Sequence, residues 1–148
     1  MKNHIQVIAR AVIIDNGHVL LTCGTDGVNT YTYLPGGHVE LGETTQTALL
    51  RELYEEIGIT EAEVTGYLGV HECRWHNRKG LLQHEINFVF TVQVPGFSYL
   101  QTPVSQEAYI SFMWAPLDQL ASVNLMPVMM RNQLHYMLVN PQEDPLID

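Results

Sequence analysis

The chain has 148 residues, of which 46% are hydrophobic, and its formal net charge is −9 because 16 Asp and Glu residues outnumber 7 Lys and Arg residues. This composition is typical of one globular domain over residues 1–148 and argues against a disordered chain. The negative charge disfavours binding to an extended nucleic acid, since both partners are anionic. If the ligand is an anion, a local positive charge must offset the repulsion, and a bound divalent cation is one solution.

The cysteines and the N-terminal segment exclude several other classes of protein. Cys23 and Cys73 are far apart and form no CxxC pair, so they predict no zinc site. The apolar stretch 5–14 is interrupted by Gln6 and Arg10, which predicts a strand and not a signal peptide. No apolar run approaches the roughly 18 residues that a membrane span requires. We therefore expect a cytoplasmic protein that has no membrane partner.

Segments rich in β-branched residues and separated by turn signals predict most of the secondary structure. Asp15-Asn16-Gly17 is typical of a hairpin turn, and Pro35-Gly36-Gly37 and Pro95-Gly96 force two further strands to end. The strands are predicted at residues 7–14, 18–22, 31–34, 63–71, 83–94 and 108–114.

Two segments predict helices. Residues 44–57 lack Gly and Pro and have helical periodicity, with Thr44 or Thr45 as the N-cap and Gly58 at the C-terminal end. Residues 125–139, which carry several methionines, predict a second helix. Strands outnumber helices and do not alternate with them regularly. The predicted fold class is therefore α+β, with helices packed on a mixed β-sheet.

Three glutamates share one side of the first predicted helix. On a wheel of about 100° per residue with Glu52 at zero, Glu56 lies at about 40° and Glu55 at about 300°. The carboxylates thus span an arc of about 100°. The apolar residues fall on another side: Leu50, Leu53 and Ile57.

Without a bound cation, this acidic side destabilises the helix. Like charges at i,i+3 and i,i+4 destabilise a helix by roughly 0.2–0.5 kcal/mol per pair, and the macrodipole disfavours anions in the last turn by roughly 0.3–1 kcal/mol. Arg51 offsets only part of this charge. A solvated acidic face explains the pattern by itself, and a divalent cation such as Mg²⁺, which prefers oxygen ligands, is the alternative. The side-chain-poor loop Pro35-Gly36-Gly37 favours the cation, because it exposes backbone beside the acidic face.

Residues 37–59 match the signature of the Nudix hydrolase family, G-x5-E-x7-R-E-U-x-E-E-x-G-U, at every specified position. The segment therefore resembles a complete Nudix box. The resemblance implies a Nudix-like α/β/α sandwich and a metal-dependent hydrolase that cleaves a diphosphate linkage in a small nucleotide-like substrate. The matching residues are Gly37, Glu43, Arg51, Glu52, Leu53, Glu55, Glu56, Gly58 and Ile59.

The resemblance also implies roles for individual box residues. Glu55 and Glu56 are expected to bind the metal, with Mg²⁺ as the expected ion and Mn²⁺ as the alternative. Glu52 binds it directly or through water and helps to orient or deprotonate the attacking water. Arg51 and Glu43 hold the loop and the helix in register.

Two residues outside these positions complete the expected site. The carbonyl of Gly36, just before the box, is a frequent ligand in the family. A further glutamate that precedes an apolar strand ending in Trp often acts as ligand or base, which makes Glu107 the candidate; an exposed loop carboxylate fits the sequence equally well. The expected catalytic residues are Arg51, Glu52 and Glu107, and the expected metal ligands are Gly36, Glu52, Glu55 and Glu56.

Residues 71–79, HECRWHNRK, concentrate cationic and aromatic side chains in an acidic chain. A loop here would place Arg74, Arg78 or Lys79 on a phosphate and Trp75 against a base; an ordinary exposed hairpin loop with a packing Trp is the alternative. We expect Arg74, Trp75 and Arg78 to bind substrate. No marker of a family subclass is present, so nucleoside triphosphates, nucleotide sugars and ADP-ribose remain open.

Two other functions fit a fold of this kind less well. A non-catalytic Nudix-fold nucleotide-binding or regulatory module usually lacks one or more box glutamates, whereas this chain has all of them. An isomerase of the prenyl diphosphate type is expected to be longer and to contain a reactive cysteine motif. A homodimer formed through the N-terminal strands or the C-terminal helix is compatible with the sequence.

Overall fold

The computed structural model describes residues 4–147. None of its helices, within that range, is long and apolar enough to cross a membrane. In chain order the elements are β1 (Gln6–Val12), β2 (Ile14–Asp15), β3 (His18–Thr25), β4 (Thr30–Tyr33), β5 (Gly36–His38), α1 (Thr45–Ile57), β6 (Glu63–His76), β7 (Leu82–Gln93), β8 (Ser111–Pro116) and α2 (Met130–Val139).

The strands form two four-stranded sheets. The first has the order β5-β1-β7-β6 and is mixed, because β1 and β7 run parallel while the other pairs are antiparallel. In the second sheet β3 pairs with β2, β4 and β8, all antiparallel. The parallel pairing of β1 with β7 joins segments about half the chain apart. β5, which pairs with β1 at the edge of the sheet, leads into the loop before α1.

Each helix covers its own hydrophobic cluster. Ala9 and Ala11 of β1 pack with Leu53 of α1, whereas Val12 of β1 packs with Leu134 of α2. Successive side chains of a strand point to opposite faces, so the helices lie on opposite sides of the first sheet. This arrangement is an α/β/α sandwich built on a mixed sheet, as the sequence predicted.

The ends of α1 follow from its capping residues. The Thr44 hydroxyl accepts a hydrogen bond from the Thr47 backbone N–H at 3.1 Å, which satisfies one of the free donors of the first turn. Gly58 adopts a left-handed conformation with φ 77° and donates to the Tyr54 carbonyl at 2.9 Å, as a C-terminal glycine does. Of the two predicted N-caps, Thr44 is the one used.

The apolar side of α1 differs from the predicted one by one residue. Leu50 is 37% exposed, so its placement with Leu53 and Ile57 was wrong. Leu49 is fully buried in its place. The reason is that residues 49, 53 and 57 follow the i, i+4, i+8 spacing that lines one helix face.

Several predicted boundaries also need correction. Gly36 and Gly37, predicted as part of a loop, form strand β5 with His38, because they pair with β1. β6 continues to His76, since it pairs with β7 as far as Leu82, so most of the predicted loop 71–79 is strand. β8 begins at Ser111 and not at residue 108, because the preceding segment is attached to the end of α1 by the bond from Gln106 N to the Glu56 carbonyl at 2.7 Å.

The second helix begins at Met130 instead of residue 125. The chain at Asn124–Met126 instead bonds to β4: Thr32 N donates to the Asn124 carbonyl at 3.1 Å, and Met126 N donates to the Thr32 carbonyl at 2.8 Å. Backbone groups used in this way cannot form the first turn of a helix. Leu125 is fully buried at this junction.

Candidate active site

Arg51 connects α1 to the loop that precedes it. Its Nε and Nη2 donate to the two carboxylate oxygens of Glu43 at 2.7 and 2.8 Å, and Nη2 also donates to the His38 carbonyl at 2.9 Å. Its Nη1 donates to Glu52 at 3.0 Å and to Glu55 at 3.3 Å. The bonds to Arg51 lower the pKa of Glu43 to about 2. Arg51 therefore fixes the loop and orients two glutamates.

Gly36 and Gly37 allow β5 to lie close to its neighbours. Gly36 has φ 137°, and a Cβ there would lie 2.0 Å from the Ala9 carbonyl oxygen of β1. A Cβ on Gly37 would lie 2.4 Å from Cδ of Glu52. Gly36 requires glycine for a steric reason, whereas a Cβ on Gly37 would displace the Glu52 carboxyl group, which lies directly against this backbone.

Glu56 is a buried carboxylate at the end of α1, with 6% of its surface exposed. Its Oε2 has no hydrogen-bond partner among the described residues. Burial raises the pKa of Glu56 to about 8, and the hydrogen bond to Glu52 and the negative charges of Glu52 and Glu107 add to this effect. Such an environment retains a proton at neutral pH unless a cation replaces it.

The fit of these carboxylates to a divalent cation rests on Glu56. A buried acceptor oxygen without a donor is unfavourable, and a hard cation is a chemically suitable partner. Glu52 and Glu56 converge, whereas the Glu55 side chain is 48% exposed and turns toward Arg51. Within residues 4–147, no three His, Cys, Asp or Glu side chains form a ready metal-binding group. Binding would therefore require Glu55 to turn from Arg51 toward the ion.

Glu107 lies on the loop that approaches the same carboxylates. Its backbone N–H donates to the Ser105 hydroxyl oxygen at 3.0 Å, and that hydroxyl donates to the Glu107 carbonyl at 2.8 Å. Its charge is close enough to Glu56 to raise the pKa of that residue. Glu107 therefore lies close to Glu56, as a catalytic or metal-binding role would require.

The carboxylates line a large cleft that residues of both sheets also line. The cavity volume is about 1490 Å³, and the lining includes Gly36, Glu52, Glu55, Glu56 and Glu107. Volumes of this size accommodate a nucleotide-sized ligand. The acidic group thus opens into a space suitable for a small molecule.

The predicted substrate-binding residues also line this cleft, but on a strand and a turn instead of a loop. Trp75 lies on β6 and is 47% exposed. Arg78 lies in the turn between β6 and β7, and its Nη1 donates to the Asp26 carbonyl on the loop between β3 and β4. Arg78 thus joins two loops across the mouth of the cleft, and Arg74 is exposed near it.

Sequence analysis missed Arg10, which lines the interior of the cleft. In the sequence it only seemed to interrupt an apolar stretch. The available signal was a charged residue in the centre of a strand that is otherwise β-branched and apolar, a position that a structural arginine rarely occupies. Its partner Asn87 lies 77 residues away, and no local pattern could identify that contact.

Comparison with known proteins agrees with this geometry. The sequence profile of the NUDIX domain matches residues 4–136, which is most of the chain. The chain belongs to the Nudix family. The recognition of the Nudix hydrolase family from the box residues is thereby confirmed.

Two curated relatives match a shorter part of this Nudix chain. The ADP-ribose pyrophosphatase of Methanocaldococcus jannaschii is 41% identical over 63 residues, which are 43% of this chain and 35% of that protein. The 8-oxo-dGTP diphosphatase of Haemophilus influenzae is 45% identical over 60 residues, which are 39% of this chain and 44% of that protein. The matched segments thus span less than half the length of either relative.

A solved structure extends the likeness over the whole Nudix fold. The NUDIX hydrolase from Nitrosomonas europaea has a TM-score of 0.73 and 22% sequence identity, with 98% of this chain and 97% of that chain covered. At this identity the comparison concerns the fold alone. It confirms the predicted sandwich with a mixed sheet.

Proposed function

We propose that this Nudix protein is a metal-dependent hydrolase that cleaves the diphosphate linkage of a nucleoside diphosphate joined to another moiety. The observation that carries the proposal is the pair of converging carboxylates, Glu52 and Glu56, in the nucleotide-sized cleft. One of them contains a buried oxygen without a partner. The overall reaction adds water across the linkage: a water oxygen bonds to phosphorus, the bridging P–O bond breaks, and two phosphate-bearing products leave.

Mg²⁺, or Mn²⁺ in its place, is the proposed cofactor. Glu52, Glu55 and Glu56 would hold it, together with the carbonyl of Gly36. When bound, such a cation offsets charge on the non-bridging oxygens and lowers the pKa of a coordinated water. The loop beside Gly36 is already fixed by the bonds of Arg51 to Glu43 and His38.

The protein's own residues supply positioning and proton transfer. Arg51 orients Glu52 through its Nη1, which holds the carboxyl group against the Gly37 backbone. We propose that Glu52 or Glu107 accepts the proton of the attacking water, since both approach Glu56 from the cleft. In phosphoryl transfer most of the rate enhancement comes from positioning and electrostatic stabilisation, so small displacements of these groups should reduce the rate.

The substrate class follows from the shape of the cleft and its lining. Trp75 offers an aromatic surface for a base, and Arg74 and Arg78 offer cations at the mouth. The two curated relatives are named for ADP-ribose and 8-oxo-dGTP, and both names describe a nucleoside attached to a phosphate chain. Nucleoside triphosphates, nucleotide sugars and ADP-ribose are therefore the proposed candidates.

A non-catalytic nucleotide-binding module is the alternative. It would need the cleft but not the carboxylate cluster. The hydrolase is favoured because the arginine that orients the glutamates and all box glutamates are in place. A binding module gains nothing from burying Glu56 without a partner.

The test is a panel of the three candidate substrate classes with Mg²⁺, read as released phosphate-bearing product and compared by kcat/KM. Glu56→Gln should lose nearly all turnover and keep its fold. Glu63→Gln is the matched control, because Glu63 is an exposed carboxylate on β6 outside the cleft. Nucleotide binding without any turnover by the unchanged protein would support the binding module instead.

A further inference from the structure

Arg10 lines the cleft next to Gly36 of β5. Its Cα pairs with Gly36 of β5 and with Val89 of β7. Paired residues of parallel strands point to the same face, and Val89 lies in the cluster beneath α2. The Arg10 side chain therefore enters the cleft from the sheet and is not on the face covered by α1.

The guanidinium group is held firmly but is not neutralised. Its Nε donates to Asn87 Oδ1 at 3.3 Å and its Nη1 donates to the Leu34 carbonyl at 3.1 Å. Its central carbon lies 5.3 Å from the ring centroid of Tyr33. Among residues 4–147, no carboxylate lies within 4.0 Å of it, and Nη2 has no hydrogen-bond partner.

Arg10 is only partly buried, and a partly buried cation without a salt-bridge partner among the described residues is still unfavourable for the protein alone. Burial lowers the pKa of Arg10, and the charges of Glu85 and Glu56 offset this only in part. Buried charges in proteins are normally paired. The contacts with Asn87, Leu34 and Tyr33 fix the plane of the group but supply no negative charge, so the group can accept an anion from the cleft.

Three other described arginines are engaged elsewhere. Arg51 is bound to glutamates, and Arg131 donates to the Leu125 carbonyl and to Asn124. Arg78 is bonded to the Asp26 carbonyl at the mouth. Arg10 is near enough to Glu56 to influence its pKa, and thus lies beside the place where a metal-bound diphosphate would be.

We propose that Arg10 binds a non-bridging phosphate oxygen of the substrate through Nη2, in the cleft that Glu52 and Glu56 also line. This inference rests on the proposed function, because it takes the diphosphate as the ligand. Bidentate or paired guanidinium donors match phosphate oxygens in geometry as well as charge. Arg10 would therefore supply the positive charge that this acidic chain lacks around an anionic ligand.

The test uses two variants. Arg10→Lys keeps the charge but loses the planar donors, and Arg10→Met replaces the cation with an apolar chain of similar length. The probe is imidodiphosphate, a non-hydrolysable diphosphate without a base, and its binding is measured by calorimetry at saturating Mg²⁺. Arg10→Met should bind it about 10- to 100-fold more weakly, with a smaller loss for Arg10→Lys. The kcat/KM for the nucleotide substrate should fall by a similar factor.

Two further readouts separate phosphate binding from a structural role. Mn²⁺ affinity should not fall in either variant, because Arg10 repels a cation bound at Glu56 and does not hold it. Without ligand, the Tm of Arg10→Met should fall only by what the lost bonds to Asn87 and Leu34 contribute. A larger fall in Tm with parallel losses of Mn²⁺ and imidodiphosphate binding would overturn the proposal in favour of a structural role.

The remaining outcomes also decide between explanations. If imidodiphosphate binds the variants as well as the unchanged protein while the nucleotide binds poorly, Arg10 contacts the base and the proposal is wrong. If the unchanged protein hydrolyses no substrate but binds imidodiphosphate in an Arg10-dependent way, the proposed function fails and the phosphate-binding role stands. If Arg10→Met does not fold, Arg10→Lys, which keeps the positive charge, is the test. Weaker imidodiphosphate binding by Arg10→Lys supports the proposal, and unchanged binding contradicts it.

Discussion

Arg51 and Glu43 form a two-point contact, with Nε to Oε2 at 2.7 Å and Nη2 to Oε1 at 2.8 Å. The pair spans eight positions of the chain and ties the loop after β5 to the middle of α1. The remaining donors of the same guanidinium reach His38 and Glu52. One side chain thus sets the position of both the proposed metal-binding loop and a proposed ligand.

Arg51→Lys should reduce kcat/KM by about 10- to 100-fold, because an ammonium group cannot reproduce the planar two-point contact and the site would lose its alignment. Steady-state kinetics together with Mn²⁺ binding would measure this. Glu40→Gln is the matched control, since Glu40 is 3.9 Å from Arg51 and its side chain is 70% exposed. Equal activity in Arg51→Lys and the unchanged protein would show that the pair does not position the site.

Gly36 and Gly37 should respond differently to alanine. A Cβ at Gly36 meets the backbone oxygen of Ala9, which cannot move without disturbing β1, so Gly36→Ala should lower Tm sharply. A Cβ at Gly37 meets the flexible end of Glu52. Gly37→Ala should therefore fold with a nearly normal Tm but lose about tenfold or more in kcat, because Glu52 is displaced.

Thermal melts and kinetics of both glycine variants check this contrast. Gly96→Ala is a useful control: it adds a Cβ that meets nothing within 4 Å, at a φ of 83°. It should lower stability by about 1–2 kcal/mol through backbone strain alone and leave kcat unchanged. A Gly37→Ala variant with full activity would show that the position of the Glu52 carboxyl group is unimportant.

Glu56 should make the stability of the metal-free protein depend on pH. Its pKa is about 8 in the fold against an ordinary value of 4.5, so the folded state binds more protons between these values. Its contribution to stability is fully present below pH 4.5 and is lost as pH rises through 8. In that window the free energy of unfolding should fall by up to about 1.4 kcal/mol per pH unit.

The measurement is urea unfolding with a chelator at several pH values, for the unchanged protein and for Glu56→Gln. The difference in the free energy of unfolding between the two proteins should change with pH between 5 and about 8. Burial also lowers the pKa of His71, which gives a trend of the opposite sign, but both proteins share this trend. Saturating Mg²⁺ should remove the Glu56 dependence. Parallel pH profiles of the two proteins would contradict the assignment of a raised pKa.

The box residues could be predicted from sequence because their relationships are local. Glu43, Arg51 and Glu52 lie within ten positions, so helical geometry and the family signature together indicate which side chains meet. The buried state of Glu56 could not be predicted in this way. It depends on the 105–107 loop, which bonds to the end of α1.

The features that sequence analysis missed depend on pairing between distant strands. Arg10 has a partner in Asn87 only because β1 runs parallel to β7. Trp75 lies on a strand because the hairpin of β6 and β7 continues beyond the predicted end at residue 71. A local hydrophobic pattern indicates which face of a strand is buried, but it does not determine how long the strand is or which strand it pairs with.

Trp75 should contribute to binding through the base and not through the phosphates. It lies on the wall of the cleft with 47% of its surface exposed, and stacking of a base on an aromatic ring is worth about 1–3 kcal/mol. Trp75→Ala should therefore raise KM for a nucleotide substrate by about 5- to 100-fold and leave imidodiphosphate affinity unchanged. Tyr136→Ala, which removes an exposed aromatic ring of α2 outside the cleft, is the matched control. If Trp75→Ala instead weakened the binding of the nucleotide and of imidodiphosphate equally, the ring would maintain the shape of the hairpin, because a stacking contact cannot affect a probe that has no base.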